Sequence, residues 1–220
     1  MAVPGTPEPH IIIVPAPSLP SQPWWKALHL TINQAFKSKN HNVFPPSWTR
    51  LPEAPTAAAE RLKNELGPNG HIAVVLLVDR PIACAGAMPW DGLEWIDESN
   101  TRWNDSGTHD VPSVPDLALV PATEKPGDDW ELCCVCVHPI HRRVGLSPRL
   151  LRALVEHIKP LGARRLMASY AVEETGHYWP HMGFATVEGA GGFFKKGYVH
   201  IDGGEPIQED VRIALGVKDL

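Results

Sequence analysis

The stretch 130–158 constrains the fold more than any other part of the chain. It runs WELCCVCV, then HPIHRRVGL, then SPRLLRALVEHI. The first part is apolar and β-prone except for Glu131, and reads as a largely buried strand. The last part places Leu150, Leu151, Leu154, Val155 and Ile158 along one side, and reads as an amphipathic helix. A further apolar run, RRLMASYA, reads as the next strand. Strand, helix and strand in that order imply a parallel pair, because antiparallel neighbours need only a short turn.

The junction between strand and helix carries its own chemistry. A helix start leaves backbone N–H groups unpaired and bears a partial positive charge, so it attracts anions. Gly145 permits close approach to the backbone and unusual dihedrals. Ser147 and Pro148 read as an N-cap and first helical residue. Arg142 and Arg143 add charged donors suited to phosphate oxygens. The junction has neither the G-K-[ST] of a P-loop nor the G-x-G-x-x-G of a dinucleotide site. A plain helix start beside two solvated arginines is the competing reading of the same residues.

Elsewhere, HIIIVPAP reads as a strand, PWWKALHLTINQAFKS and TAAAERLKNEL as helices, and HIAVVLLV with PIACAGAM as a hairpin around Asp79-Arg80. EETGHYWPHM reads as a short helix, GFATVE and GFFKKGYVHI as two strands, and EDVRIALGV as a terminal helix. Residues 90–129 show no lasting periodicity and read as a long loop or lid. The expected organisation is one domain over 1–220, with that loop inserted and 205–220 as a C-terminal extension. The order of elements predicts an α/β (α+β) fold. It is built on a central mixed, mostly antiparallel sheet of about seven strands with helices on both faces.

A net charge of −5 supplies no global attraction for nucleic acid or an anionic membrane. The apolar run IIIV is too short for a signal-peptide core or a membrane span, and the expectation is a cytoplasmic protein. The four cysteines are Cys84, Cys133, Cys134 and Cys136. Adjacent cysteines in a strand do not make a regular disulfide framework. Cys133, Cys136, His138 and His141 have ligand-like spacing, but in a regular strand Cys133 and Cys136 face opposite sides. The expectation is buried thiols and no metal. His177 and His181, four apart on the short helix, are expected at the surface.

The junction resembles the acetyl-CoA motif of the GNAT N-acetyltransferases, Arg/Gln-x-x-Gly-x-Gly/Ala after a strand ending in Val-x-Pro. Here the residues are Val137-His138-Pro139 followed by Arg142-Arg143-Val144-Gly145-Leu146-Ser147, with serine a small departure in the last position. A second signature of the family, a short helix ending in Gly-Phe, resembles HYWPHMGF with Gly183 and Phe184. The resemblance implies that 142–147 cradle the pyrophosphate of acetyl-CoA or another acyl-CoA, used as co-substrate. It also implies that Val135, Cys136 and Val137 meet the pantetheine arm through their backbone, the Val135 N–H serving as oxyanion donor.

Acyl transfer from a thioester to an amine needs a base, an oxyanion donor and a proton for the leaving thiolate. Glu131 lies where some branches of the family carry a catalytic carboxylate, and a carboxylate in an apolar strand needs a reason. A solvated glutamate at the strand end is the alternative. The family's usual tyrosine acid falls at Trp179, whose indole N–H is no useful acid. Tyr178 is the neighbouring candidate, about 100° away around a helix, and solvent is the other. The reaction implied is direct attack in a ternary complex, which needs no nucleophilic cysteine. Cys133, on the same side of a regular strand as Glu131, leaves a covalent route as the alternative.

In the family the acceptor site is usually formed by the first two helices, the loop before the fourth strand and the last strand pair. Those parts hold Trp24, Trp25, the Trp90–Trp95–Trp103 loop, Phe193 and Phe194. Such rings suit a small apolar or aromatic amine, and serve equally to anchor a loop. Asp91, Glu94, Asp97 and Glu98 would attract a cationic acceptor. The expected partner is therefore a small-molecule amine, with no nucleic acid and no membrane, in a monomer or homodimer. Two other readings stay open: a non-catalytic acyl-CoA sensor, and an enzyme of this fold that hydrolyses or decarboxylates its acyl-CoA.

Overall fold

The structure, a computed structural model, describes residues 7–90, 128–199 and 205–220. Its strands and α-helices are β1 (His10–Pro15), α1 (Trp25–Phe36), α2 (Pro55–Leu66), β2 (His71–Leu77), β3 (Arg80–Pro89) and β4 (Asp129–Val137). They continue as α3 (Leu146–Ile158), β5 (Arg165–Ala171), two single-turn helices α4 (Val172–Thr175) and α5 (Tyr178–His181), β6 (Ala185–Phe194) and β7 (Val211–Asp219). A 3-10 segment, Ala16–Ser21, joins β1 to the chain before α1. The described strands follow the order β1-β2-β3-β4-β5-β7-β6. The β1–β2, β2–β3, β5–β7 and β6–β7 pairs are antiparallel. This is the mixed, mostly antiparallel α/β arrangement that the sequence predicts.

Contacts divide the chain into two compact units, with β4 passing from one to the other between Glu131 and Leu132. In the first unit, which includes Thr49–Met88 and Leu132–Leu161, a core forms around Leu19, Leu28, Ile32, Leu62, Leu66 and Ile72. Each such side chain contributes about 1.5–3 kcal/mol on burial. Asn33 on α1 pins the chain ahead of α2. Its Oδ1 accepts from the Leu51 N–H at 3.0 Å and its Nδ2 donates to the Leu51 carbonyl at 3.2 Å, as a neighbouring peptide would. Buried Thr31 donates to the Pro81 carbonyl at 2.9 Å, tying α1 to the start of β3.

The second unit, which includes Lys39–Trp48 and Gly162–Leu220, has its own core. Val43, Met167, Ile207, Val211, Ile213 and Leu215 form it, and Phe44, Trp48, Trp90, Phe194 and Tyr198 pack around them. Asp129 is buried and pairs with Arg165 through two parallel hydrogen bonds of 2.7 Å, the two-pronged geometry that satisfies a carboxylate out of water.

Several expectations are corrected. Residues 211–219 form a strand, not a terminal helix. β7 lies between β5 and β6 and is buried over most of its length, so the polar alternation that marks a strand is nearly lost in VRIALGV. GFATVE and the residues after it are one strand, β6, with a register shift between Thr186 and Gly191. At Gly191 φ is +118°, and a Cβ would sit 2.1 Å from the Ile213 carbonyl oxygen. The glycines of GAGG thus belong to an irregularity within the strand and do not end it. The β2–β3 turn is Val78-Asp79, one residue earlier than expected, both residues left-handed at φ +48° and +61°. That is the backbone of a type I′ turn, which normally draws Asn-Gly.

β4 also departs from a regular strand. Cys134 has φ +51°, a left-handed residue that breaks the alternation of faces. As a result Cys133, Cys134 and Cys136 all pack against the same core cluster, although a regular strand would divide them. The Cys84 thiol donates to the Cys134 carbonyl at 3.4 Å and lies 3.5 Å from the Cys136 sulfur. Hydrogen bonding to Cys134 and Cys136, together with burial, pushes the Cys84 thiol well up, away from the thiolate form.

Candidate functional site

In the segment from Val137 to Ser147, side-chain bonds from His138 and Arg142 hold the first half. His138 Nε2–H donates to Gln34 Oε1 at 2.6 Å, while its Nδ1 accepts from the Ile140 N–H at 3.4 Å. Those two bonds describe the neutral imidazole. Burial, and the nearby His141, Arg80 and Arg142 charges, push His138 below the ordinary histidine value, in agreement with that tautomer. The His138 N–H donates to the Ile82 carbonyl at 2.8 Å, anchoring the exit of β4 to β3.

Arg142 turns back onto the protein. Its Nε–H donates to the Val137 carbonyl at 3.2 Å and its NH2 to the Ala35 carbonyl at 2.9 Å, in the last turn of α1. A cation at a helix C-terminus opposes the negative end of the dipole. Of the five N–H donors of a guanidinium, those two are committed to carbonyls, and the remainder stay on an exposed residue. Arg142 therefore fixes the base of the loop, a role that its exposure and charge did not announce in sequence.

Beyond it the backbone turns left-handed twice, at Arg143 (φ +65°) and Gly145 (φ +77°). Holding an L-residue such as Arg143 there costs about 1–2 kcal/mol, so this conformation is imposed by its surroundings. Backbone of this kind gathers successive N–H groups into a concavity suited to anions. α3 then begins at Leu146 with Gly145 as its N-cap, and no side chain caps it. The expected cap at Ser147 is thus corrected: Ser147 and Pro148 are the second and third helical residues. Proline there removes a donor that would have had no helical partner in any case. The helix geometry leaves the N–H groups of Gly145, Leu146 and Ser147 without intrahelical acceptors. Leu146 is buried and anchors the turn, whereas Val144 is 66% exposed and Ile140 75%. A Cβ on Gly145 would meet nothing within 4 Å, so its φ, and not crowding, is what calls for glycine.

β4 supplies the next residues. Val135 and Val137 are half-buried and Cys136 is buried, with the left-handed Cys134 directly before them. Glu131 is only 6% exposed and accepts a hydrogen bond from Ser169 Oγ on β5 at 3.1 Å. The solvated strand-end alternative therefore fails: this carboxylate is buried among the residues of its unit and oriented by a hydroxyl. Ser169 is a partner that sequence reasoning missed. Its one signal is a hydroxyl within the otherwise buried run LMASYA.

Trp179 is core. It stacks on Tyr170 at 6.0 Å and meets Phe184 edge-on at 5.2 Å and Tyr178 at 5.1 Å. Tyr178, half-buried, opens α5. His177 and His181 are exposed. Of the expected acceptor aromatics, Trp25 is buried with its indole N–H donating to the Pro55 carbonyl at 2.7 Å. Trp24 packs against the first core. Phe194 stacks on Tyr198 at 4.8 Å, and Phe193 is partly exposed beside Lys195. Asp91, Glu94, Trp95, Asp97, Glu98 and Trp103 lie outside the described residues. Among the described residues, no group of three or more His, Cys, Asp or Glu side chains is arranged to hold a metal ion, and no helix is long and apolar enough to cross a membrane.

The model of the acetyltransferase (GNAT) family matches residues 33–184, more than half of the chain. The chain belongs to the GNAT acetyltransferase family. No curated protein sequence matches it, but solved structures do. A GNAT-family acetyltransferase from Desulfovibrio desulfuricans aligns over 96% of this chain and 99% of its own, with a TM-score of 0.56 and 14% identity. A ribosomal-protein-alanine N-acetyltransferase from Brucella melitensis aligns over 96% and 99%, with a TM-score of 0.54 and 15% identity. A polyamine N-acetyltransferase from Drosophila melanogaster, which catalyses the formation of N-acetylagmatine, aligns over 96% and 100%, with a TM-score of 0.54 and 16% identity. At such identities the likeness is one of fold. As a GNAT member the chain is an acyltransferase, and the family match spans both the β4–α3 junction and the Gly183-Phe184 turn.

Proposed function

We propose that this GNAT enzyme transfers an acyl group, acetyl in the first instance, from acyl-CoA to the amine of a small molecule. The observation that carries the proposal is the paired left-handed backbone at Arg143 and Gly145, leading into the uncapped start of α3. Such a turn suits the pyrophosphate of coenzyme A: three N–H groups, from Gly145, Leu146 and Ser147, have no other helical role. Arg142 fixes the loop and Arg143 adds charge at its rim. Val144 supplies exposed apolar surface beside it, and Val135, Cys136 and Val137 offer their backbone to the pantetheine arm.

Catalysis in this reading is a matter of placed protons. Glu131 takes the proton that the amine must lose, with Ser169 orienting the carboxylate. The Val135 N–H stabilises the charge that develops on the carbonyl oxygen. Tyr178 is the nearest residue in sequence to the place of the family's tyrosine acid and returns a proton to the leaving thiolate. Direct attack by the amine in a ternary complex calls for no cysteine nucleophile, and the Cys84 thiol is held protonated. The acyltransferase works in the cytoplasm as a single catalytic domain, as a monomer or homodimer.

The test is release of free thiol from acetyl-CoA in the presence of a panel of primary amines, with the acylated product identified by mass. The wild-type protein should acylate at least one small amine. Glu131→Gln should retain acetyl-CoA binding but lose turnover by about 100-fold or more, the usual contribution of a general base. Thiol release without any acylated amine would contradict the proposal.

A further inference from the structure

The end of α1 meets the turn that leads into α3 at two points. The Ala35 carbonyl accepts from Arg142 NH2 at 2.9 Å, and Gln34 Oε1 accepts from His138 Nε2–H at 2.6 Å. All four residues belong to the first unit. The Ala35 bond uses the main chain, which any residue there would offer. The Gln34 bond uses a side chain. Gln34 is exposed, and α1 would form as well with another long, unbranched side chain in its place.

The sense of the Gln34 bond follows from Ile140. Its main-chain N–H can only donate, and it donates to His138 Nδ1 at 3.4 Å. An imidazole nitrogen that accepts carries no proton, so in the neutral ring the proton sits on Nε2. The partner of Nε2–H must then be an acceptor, and Gln34 presents its oxygen. The amide thereby selects the tautomer and ring orientation in which Nδ1 faces the Ile140 N–H. The His138 main chain is fixed separately, by donation to the Ile82 carbonyl at 2.8 Å. What Gln34 adds is control of the ring.

That control falls on a weakly anchored piece of chain. The 3-10 turn Pro139–His141 contains no buried residue, and Ile140 itself is 75% exposed. It stands directly ahead of Arg142 and the left-handed pair Arg143 and Gly145. With no core packing of its own, this turn takes its conformation from a few hydrogen bonds.

We propose that Gln34 is a positioning residue for acyl-CoA. Through the His138 ring it holds the Ile140 N–H, and with it the entry to the Arg143–Gly145 turn, in the form that receives the pyrophosphate. It acts through His138 and needs no contact with the ligand. A turn already in its binding conformation loses less freedom when the ligand arrives, and binds it more tightly for that reason. This role rests on the proposed function, which takes 142–147 as the coenzyme A cradle.

The experiment measures acetyl-CoA binding to the full chain by calorimetry. Gln34→Met keeps a long helix-forming side chain and removes the acceptor. Loss of this neutral hydrogen bond should raise Kd about three- to tenfold, while the melting temperature of the ligand-free protein barely moves. The same substitution is then made in a His138→Asn background. Asparagine offers the Ile140 N–H an oxygen that has no tautomers. Gln34→Met should therefore change Kd by less than about 1.5-fold there, since two residues acting through one contact are not additive. Nitrogen NMR of the ligand-free protein supplies a second readout. His138 Nδ1 should report an unprotonated acceptor in the wild type and a mixed state in Gln34→Met. A Kd unchanged by Gln34→Met, or raised by the same factor in both backgrounds, would overturn the role of Gln34 and leave the cradle standing. Failure of the wild type to bind acetyl-CoA at all would instead remove the cradle, and this role with it.

Discussion

Gly145 needs its left-handed φ with no neighbour crowding it, so the consequence of replacing it is a matter of backbone alone. Gly145→Ala should cost about 1–2 kcal/mol of local strain and weaken acyl-CoA binding while the protein stays folded, a change that calorimetry reads directly. His138 and His71 make a second prediction. Burial, and for His71 the neighbouring His157 whose nitrogen is 3.1 Å away, push both below the ordinary histidine value. The unfolded chain then binds more protons than the folded one near pH 6.5, so stability rises with pH through that range. Melting temperature should fall as pH drops below about 6.5, and His138→Gln should flatten part of that slope. At this scale the sequence spoke unevenly. Glu131 stood out because a carboxylate in an apolar strand is expensive, but its partner Ser169 and the inward bonds of Arg142 depend on contacts across the fold that no local pattern reveals.

Among the elements, the β2–β3 turn and β4 carry the clearest strain. Val78 is a β-branched residue at φ +48°, exposed at a turn that favours asparagine. Val78→Asn should stabilise the protein by about 1 kcal/mol, measured by denaturant titration. Gly86 on β3 makes the opposite prediction. A Cβ there would lie 2.7 Å from the Cys133 sulfur and 2.9 Å from Leu66, so Gly86→Ala should destabilise by about 1–3 kcal/mol through overpacking. α1, α2 and α3 were legible because each exposes one polar face and buries one apolar stripe. β7 was not, because an interior strand buried on both faces loses the alternation that identifies it and then resembles a short helix. Nor was the left-handed Cys134, since nothing in CCVC marks a residue that ordinarily avoids that conformation.

For the whole molecule, strand order, the β4–α3 junction and the Gly183-Phe184 turn agree with the GNAT family match over 33–184. Much of this was readable in the chain, because the junction combines a glycine, two arginines and a helix start in a spacing that other phosphate-binding loops do not share. The acceptor was not readable: its determinants would come from side chains far apart in sequence. The most direct measurement is therefore a thermal-shift titration of the full protein with acetyl-CoA, CoA and a longer acyl-CoA, alongside Gly145→Asp. A ligand that binds only the native state must raise its melting temperature as saturation grows. The proposed cradle predicts stabilisation of the wild type by acetyl-CoA and little or none of the variant, in which a carboxylate would face the pyrophosphate. Absence of any shift in the wild type at millimolar ligand would contradict it, leaving the start of α3 as an ordinary helix end.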